Sequence, residues 1–175
     1  MNVNAQELIE VRQDEKLDLN NLHSYLKKSL NMQFDNIETL QFSGGHANLT
    51  YLLKLDETEY VLRRPPLGPI APSSHDMFRE HKVQSKINSM FPLAPKSLHF
   101  CDDESIIGSK FHIIERRNGF VIRKKMEPFI TQTRENIRKL SFRVIEILAD
   151  LHKVKPELVG LGDLGRPEGF VKRQL

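Results

Sequence analysis

From residue 42 the chain runs Phe42-Ser43-Gly44-Gly45-His46-Ala47-Asn48-Leu49-Thr50-Tyr51-Leu52-Leu53-Lys54-Leu55. In its second half Leu49, Tyr51, Leu53 and Leu55 alternate with Thr50, Leu52 and Lys54, the period of two that lays one row of side chains on each face of a strand. Residues 36–43 are also rich in strand formers, with imperfect alternation. Downstream, Asp56-Glu57-Thr58-Glu59 is a hairpin turn into a third strand, Tyr60-Val61-Leu62-Arg63-Arg64. Three strands in sequence predict an antiparallel meander, with the pair Gly44-Gly45 in its first turn.

Outward from the meander, Pro65, Pro66, Pro69 and Pro72 end the third strand and force an extended loop. Ser73 is a candidate helix cap with Asp76 at the capping-box position. The helix it opens runs to about Asn88, with Met77, Glu80, Val83 and Ile87 on one face. Two more strands are predicted near Ser97–Cys101 and Phe111–Glu115, joined by the acidic turn Asp102-Asp103-Glu104. Upstream, Leu19, Leu22, Leu26 and Leu30 follow helical spacing behind Asp18 as N-cap. After a basic connector, Ile137, Leu140, Val144, Ile147, Leu148 and Leu151 make a continuous stripe on a helix over about 133–153. Neither a repeat nor a low-complexity tract interrupts this order.

The chain has 175 residues, 39% hydrophobic and 28% charged, with nine glycines and nine prolines. That composition excludes collagen-like and broadly disordered classes and suits a globular domain able to bury a core without disulfides. A single cysteine, Cys101, allows no internal disulfide, no apolar run approaches the ~20 residues of a membrane span, and the polar N-terminal segment is unlike a leader. The expectation is a soluble, cytoplasmic protein that binds neither membrane nor nucleic acid. Net charge is only +3. The one dense basic run, Arg116, Arg117, Arg123, Lys124 and Lys125, is interrupted by Asn118-Gly119 and reads more simply as a solvated loop than as a nucleic-acid surface.

Three features carry chemistry. Adjacent glycines in a strand–strand turn let backbone N–H groups approach a phosphate closely, although most such turns are only turns. Glu80 lies on the helical face that should pack against the sheet, and a buried carboxylate needs a cation. The third strand offers Arg63 and Arg64, which point to opposite faces, so one of them should meet Glu80 or a ligand. A glycine turn, a third-strand cation and a glutamate on the next helix together match the nucleotide-binding half of a kinase-like fold. The seven histidines show no metal-ligand spacing, and Cys101 has no neighbouring base, which suits a structural thiol.

Phe42-Ser43-Gly44-Gly45-His46-Ala47-Asn48-Leu49-Thr50-Tyr51, followed by Tyr60-Val61-Leu62-Arg63-Arg64-Pro65-Pro66, resembles the aminoglycoside phosphotransferase-like family, and within it the branch fused to acyl-CoA dehydrogenases. Ser74-His75-Asp76-Met77-Phe78-Arg79-Glu80-His81 is similar to that branch's next block. Cys101-Asp102-Asp103 with Ile107-Gly108, Phe111 and Glu115 resembles the following one. Leu148-Ala149-Asp150-Leu151-His152 and Val159-Gly160-Leu161-Gly162-Asp163-Leu164-Gly165-Arg166-Pro167 continue the likeness, which runs from about residue 40 to the last.

The resemblance implies an α+β, protein-kinase-like fold. It gives a five-stranded antiparallel N-lobe over 1–117, with the Glu80 helix against it, a connector over 118–132, and the start of a helical C-lobe over 133–175. It implies ATP and Mg2+ as cofactors and transfer of the γ-phosphate to a hydroxyl of a small metabolite, a hydroxylated acyl-CoA rather than an aminoglycoside. By position, Ser43, Gly44, Gly45, His46, Ala47 and Asn48 form the phosphate-covering turn, Arg63 stands in place of the third-strand lysine and pairs with Glu80, and Glu115-Arg116-Arg117 form the hinge that receives the adenine. An arginine presents a fork rather than a point charge. The hinge departs from the family's Met-Glu followed by an aromatic or aliphatic and an acidic residue.

The family's His-Gly-Asp…Asn loop and later metal-binding Asp do not appear: no asparagine follows Asn136, and Asp163 lies in an upstream block. No catalytic residue and no metal ligand is therefore assigned, and residues 170–175 look like a helix cut off midway. The expected consequence is little or no turnover by the chain alone. The competing expectation is a catalytically inactive, truncated half-protein that binds nucleotide or a partner. Its uncovered stripe of Ile137, Leu140, Val144 and Leu148 would favour self-association or a complementing C-lobe chain.

Overall fold

In the computed structural model the described residues are 8–44, 47–69, 71, 74–119, 121–122, 130–131, 133–165 and 168–174. Among them are strands β1 (Leu8–Ile9), β2 (Ile37–Phe42), β3 (Leu49–Leu55), β4 (Thr58–Arg64), β5 (Ser97–Cys101) and β6 (Phe111–Glu115), and helices α1 (Leu19–Ser29), α2 (Met77–Ile87), α3 (Arg134–His152) and α4 (Phe170–Gln174). The chain divides into two compact units, Met1–Ser85 with Pro95–Phe120, and Lys86–Ala94 with Val121–Leu175.

The first unit is an antiparallel sheet in the order β1-β2-β3-β4-β6-β5. It has six strands rather than the expected five, because Leu8 and Ile9 pair with Phe42 and Gln41 along the outer edge of β2. Just beyond, the Arg12 N–H donates to Gln41 Oε1 at 3.1 Å, which ties the N-terminal segment to the sheet.

One face of the sheet carries the core. Tyr51, Leu53 and Leu55 of β3, Leu62 of β4 and Phe111 and Ile113 of β6 project into a cluster closed by Leu22 and Leu26 of α1. Each such side chain contributes roughly 1.5–3 kcal/mol by leaving water. Asp18 caps α1, accepting from the Asn21 N–H at 3.0 Å. Tyr25 of α1 reaches across to β5, where its hydroxyl meets His99 Nε2 at 2.8 Å. Cys101 is buried in the same cluster, as a structural thiol should be.

The opposite face holds α2. Asp76 Oδ1 accepts from the Arg79 N–H at 3.0 Å, so Asp76 is itself the cap of a helix that begins at Met77. Ser73, the expected cap, lies outside the described residues. Met77 is buried, and farther along the ring of Phe100 on β5 meets Phe78 edge-on and stacks on His81.

In the second unit Thr133 caps α3 by accepting from the Asn136 N–H at 3.2 Å. Leu140, Ile147 and Leu151 are half-buried, while Ile137, Val144 and Leu148 stay exposed. A 3-10 turn over Pro156–Val159 follows. It ends at Gly160 with φ 69°, a left-handed conformation that glycine adopts without a Cβ penalty.

Candidate nucleotide site

Arg63 and Arg64 separate as their alternation requires. Arg64 is 4% exposed and donates from Nη1 to the Ile107 carbonyl at 3.0 Å, on the core side of the sheet. Arg63 projects to the α2 side, where its Nε lies 3.0 Å from Glu80 Oε2 and its Nη2 3.4 Å from Oε1. Between the two arginines, Arg63 is thus the one that meets Glu80.

Glu80 collects two further donors. Asn48 Nδ2 donates to Oε1 at 2.6 Å, and His112 Nε2 donates to Oε2 at 3.2 Å. Partial burial pushes the Glu80 carboxyl up, but the His112 hydrogen bond and the Arg63 charge outweigh it and hold the acid below its ordinary value. His112 is fully buried on β6 directly opposite Arg63 on β4, which explains how a residue 32 positions along the chain reaches the same carboxylate.

Asn48 links this cluster to the loop before α2. Its Oδ1 accepts from His75 Nδ1 at 2.6 Å, so the amide is oriented by both neighbours and the His75 proton is on Nδ1. His75 has φ 55°, a left-handed conformation rare for a residue with a Cβ; strain of this kind concentrates at binding sites. Around these residues an open cleft of 660 Å³ is lined by Ala47, Asn48, Arg63, His75, Arg79 and Glu80, among others.

Next to the cleft, on the same sheet face, runs an apolar row. Leu40, Leu52, Val61 and Ile114 lie directly opposite one another across β2, β3, β4 and β6, and Val61 is two residues from Arg63. Leu52, Val61 and Ile114 of this row are buried; if uncovered, an apolar surface beside a fixed cation would suit a ligand with a flat, poorly hydrated head and an anionic tail.

Of the residues expected at the site, Asn48, Arg63 and Glu80 come together in one hydrogen-bonded group, with Ala47 on the cleft wall. Ser43 and Gly44 are exposed at the end of β2, and Gly45 and His46 lie outside the described residues. Glu115 and Arg117 sit at the far end of β6. The Glu115 carboxylate accepts from the Lys96 N–H at 3.0 Å and pairs with Arg117 at 3.0 Å, and the Glu115 N–H is committed to the Lys96 carbonyl at 2.8 Å. Sequence reasoning missed His112 and His75. The pairing of β4 with β6 is the signal that would have found His112.

ATP and Mg2+ meet different fates against this geometry. The cleft and its cation fit the anionic end of a nucleotide, while Leu52, Val61 and Ile114 of the neighbouring row are buried. No group of three or more His, Cys, Asp or Glu among the described residues could hold a metal ion, so no step is assigned to Mg2+. No helix among them is long and apolar enough to cross a membrane.

Residues 38–175 match the model of the phosphotransferase enzyme family. Acyl-CoA dehydrogenase family member 11 of Gallus gallus is 32% identical over 95% of this chain, and that of Rattus norvegicus 33% over 98%. The chain spans 22% of the length of each. A crystal structure from Ralstonia eutropha JMP134, of a protein assigned as an aminoglycoside phosphotransferase, superposes with a TM-score of 0.74 at 24% identity. It covers 91% of this chain and 45% of its own, and shows a shared fold.

Proposed function

Because the chain belongs to the phosphotransferase enzyme family, we propose that it supplies the nucleotide-holding half of an ATP-dependent transfer of a phosphoryl group to the hydroxyl of a small metabolite. One observation carries this reading: the Arg63–Glu80 ion pair, locked by Asn48 from the first turn of the meander, faces an open cleft beside an apolar row. Arg63 would hold the phosphates through its fork, Glu80 would orient Arg63, and Asn48 would fix the turn over them. In this reading residues 1–117 form the nucleotide lobe, 118–132 the connector and 133–175 the start of the helical lobe. The general base and metal ligands would come from sequence outside this chain, so the chain alone binds ATP without turning it over. The acceptor we assign is a hydroxylated acyl thioester, from the likeness to the acyl-CoA dehydrogenase family relatives.

A titration with a fluorescent ribose-labelled ATP tests the nucleotide site. Arg63→Ala should weaken binding at least tenfold, with Arg63→Lys recovering part of it; equal affinity in wild type and Arg63→Ala would remove the site. A second reading, a nucleotide- or partner-binding module with no turnover in any assembly, is favoured by the exposed Ile137, Val144 and Leu148 on α3. Phosphorylation of hydroxyacyl-CoA after addition of a complementing C-lobe would exclude it.

A further inference from the structure

The apolar row is covered from within. Phe42 is two residues from Leu40 on β2 and Glu59 two residues from Val61 on β4, so both side chains share the Arg63 face of the sheet. Arg116, the residue after the last sheet residue of β6, bends back onto this face: its guanidinium carbon lies 4.9 Å from the centre of the Phe42 ring and its Nε 3.7 Å from Glu59 Oε2. β2 and β4 are separated by β3, so a side chain that touches both residues lies across the strand that carries Leu52. The Arg116 side chain is only 10% exposed, and Leu52, Val61 and Ile114 beneath this face are all buried although none of them belongs to the main core cluster.

We infer that Arg116 is an internal plug of the nucleobase position, held by the Phe42 ring and the Glu59 carboxylate, which the incoming base displaces. The inference rests on the nucleotide reading above and adds a regulatory element to it. A guanidinium over an aromatic face keeps a cation on apolar ground at little cost, because the ring supplies the attraction that lost water would have given. The base must break both contacts before it reaches Leu52 and Val61. The phosphates, which meet Arg63 at the other end of the site, need not. The plug therefore penalises the base selectively and leaves the anion subsite alone. It also gives the departure at the hinge a role, since an aliphatic or aromatic residue at 116 could not reach across to Glu59 as a cation.

The test compares labelled ATP with inorganic tripolyphosphate as competitor, on wild type, Arg116→Ala and Glu59→Gln. Arg116→Ala should bind ATP on the order of tenfold more tightly, the scale of a desolvated cation–π contact. Glu59→Gln, which loosens one anchor at the surface, should tighten it severalfold. The inhibition constant of tripolyphosphate should stay within twofold in all three. ATP affinity unchanged or weakened by Arg116→Ala, with wild type still binding in an Arg63-dependent way, overturns the plug and leaves the nucleotide site standing. Equal gains for ATP and tripolyphosphate in Arg116→Ala also overturn it, since Arg116 then hinders the anion subsite as much as the base; equal gains in Glu59→Gln alone would reflect only its lost negative charge. No ATP binding by any variant overturns the nucleotide site and the plug together.

Discussion

Replacing Glu80 by alanine removes the acceptor on which Arg63, Asn48 and His112 converge. His112 has no exposure through which water could replace the lost partner, and its Nδ1 already lacks a hydrogen bond. Arg63 and Glu80 are each about 30% exposed, so solvent softens the loss of the ion pair itself. A hydrogen bond to a charged group is worth about 1.5–3 kcal/mol, and stranding a buried donor adds to the loss, so Glu80→Ala should cost about 2–4 kcal/mol. For a chain of this length that is a fall in Tm of about 5–15 °C. Glu80→Gln keeps an acceptor for Asn48 or His112 and should cost about half as much. Urea unfolding followed by far-UV circular dichroism, with Arg63→Ala and the double variant, completes the cycle; the Arg63–Glu80 coupling should be about 1–2 kcal/mol. A Glu80→Ala protein within about 0.5 kcal/mol of wild type, the range of ordinary surface changes, would refute the view that this carboxylate organises the cluster.

Stability should fall in two steps as pH is lowered. Burial, with the charge of His81, pushes the His99 imidazole down, and burial, with the charge of His112, does the same to His81. Their folded forms bind fewer protons than the unfolded chain, so this stability is present above the ordinary value of 6.5 and is lost as pH falls below it. Glu80, held below its ordinary 4.5, contributes a second loss under that pH. Urea midpoints between pH 4 and 8 should flatten on the upper step in His99→Gln, and an unchanged slope would contradict the assignment. Leu53→Ala should destabilise by about 2–5 kcal/mol in the same assay, because Leu53 is fully buried in the core cluster. Sedimentation velocity should show association rising with concentration through the exposed Ile137, Val144 and Leu148, and substituting all three with glutamine should abolish it.

Most elements could be read from period and punctuation. The strict alternation of 49–55 and the capped stripe behind Asp18 appear as β3 and α1 within a residue of their expected limits. β1 could not be read that way: two residues hold no period, and Leu8 and Ile9 become a strand only because β2 offers an unpaired edge. α2 begins at Met77 with Asp76 as its cap; Ser73 and Asp76 both carry capping oxygens, and local sequence alone does not choose between them. At the site, Arg63 and Glu80 were legible because charge on a packing face demands a partner. His112 and the His75–Asn48 link were not, since they depend on which strands become neighbours across long stretches of chain.

The sheet that bears Arg63 is covered on its other face by α1 and its leucines, and its central strands are paired on both sides. Such a plate does not stretch, and it therefore acts as a ruler. Val61 and Arg63 are adjacent graduations on one face of β4, about 7 Å apart at the usual rise per residue. Once the Arg116 side chain is displaced, a molecule whose apolar head and first anionic group are separated by that interval would match the strand, while shorter or longer ones would have to bend. In the nucleotide reading, size selection would thus follow from the pitch of a strand, and lengthening the interval would require changing the backbone rather than any side chain.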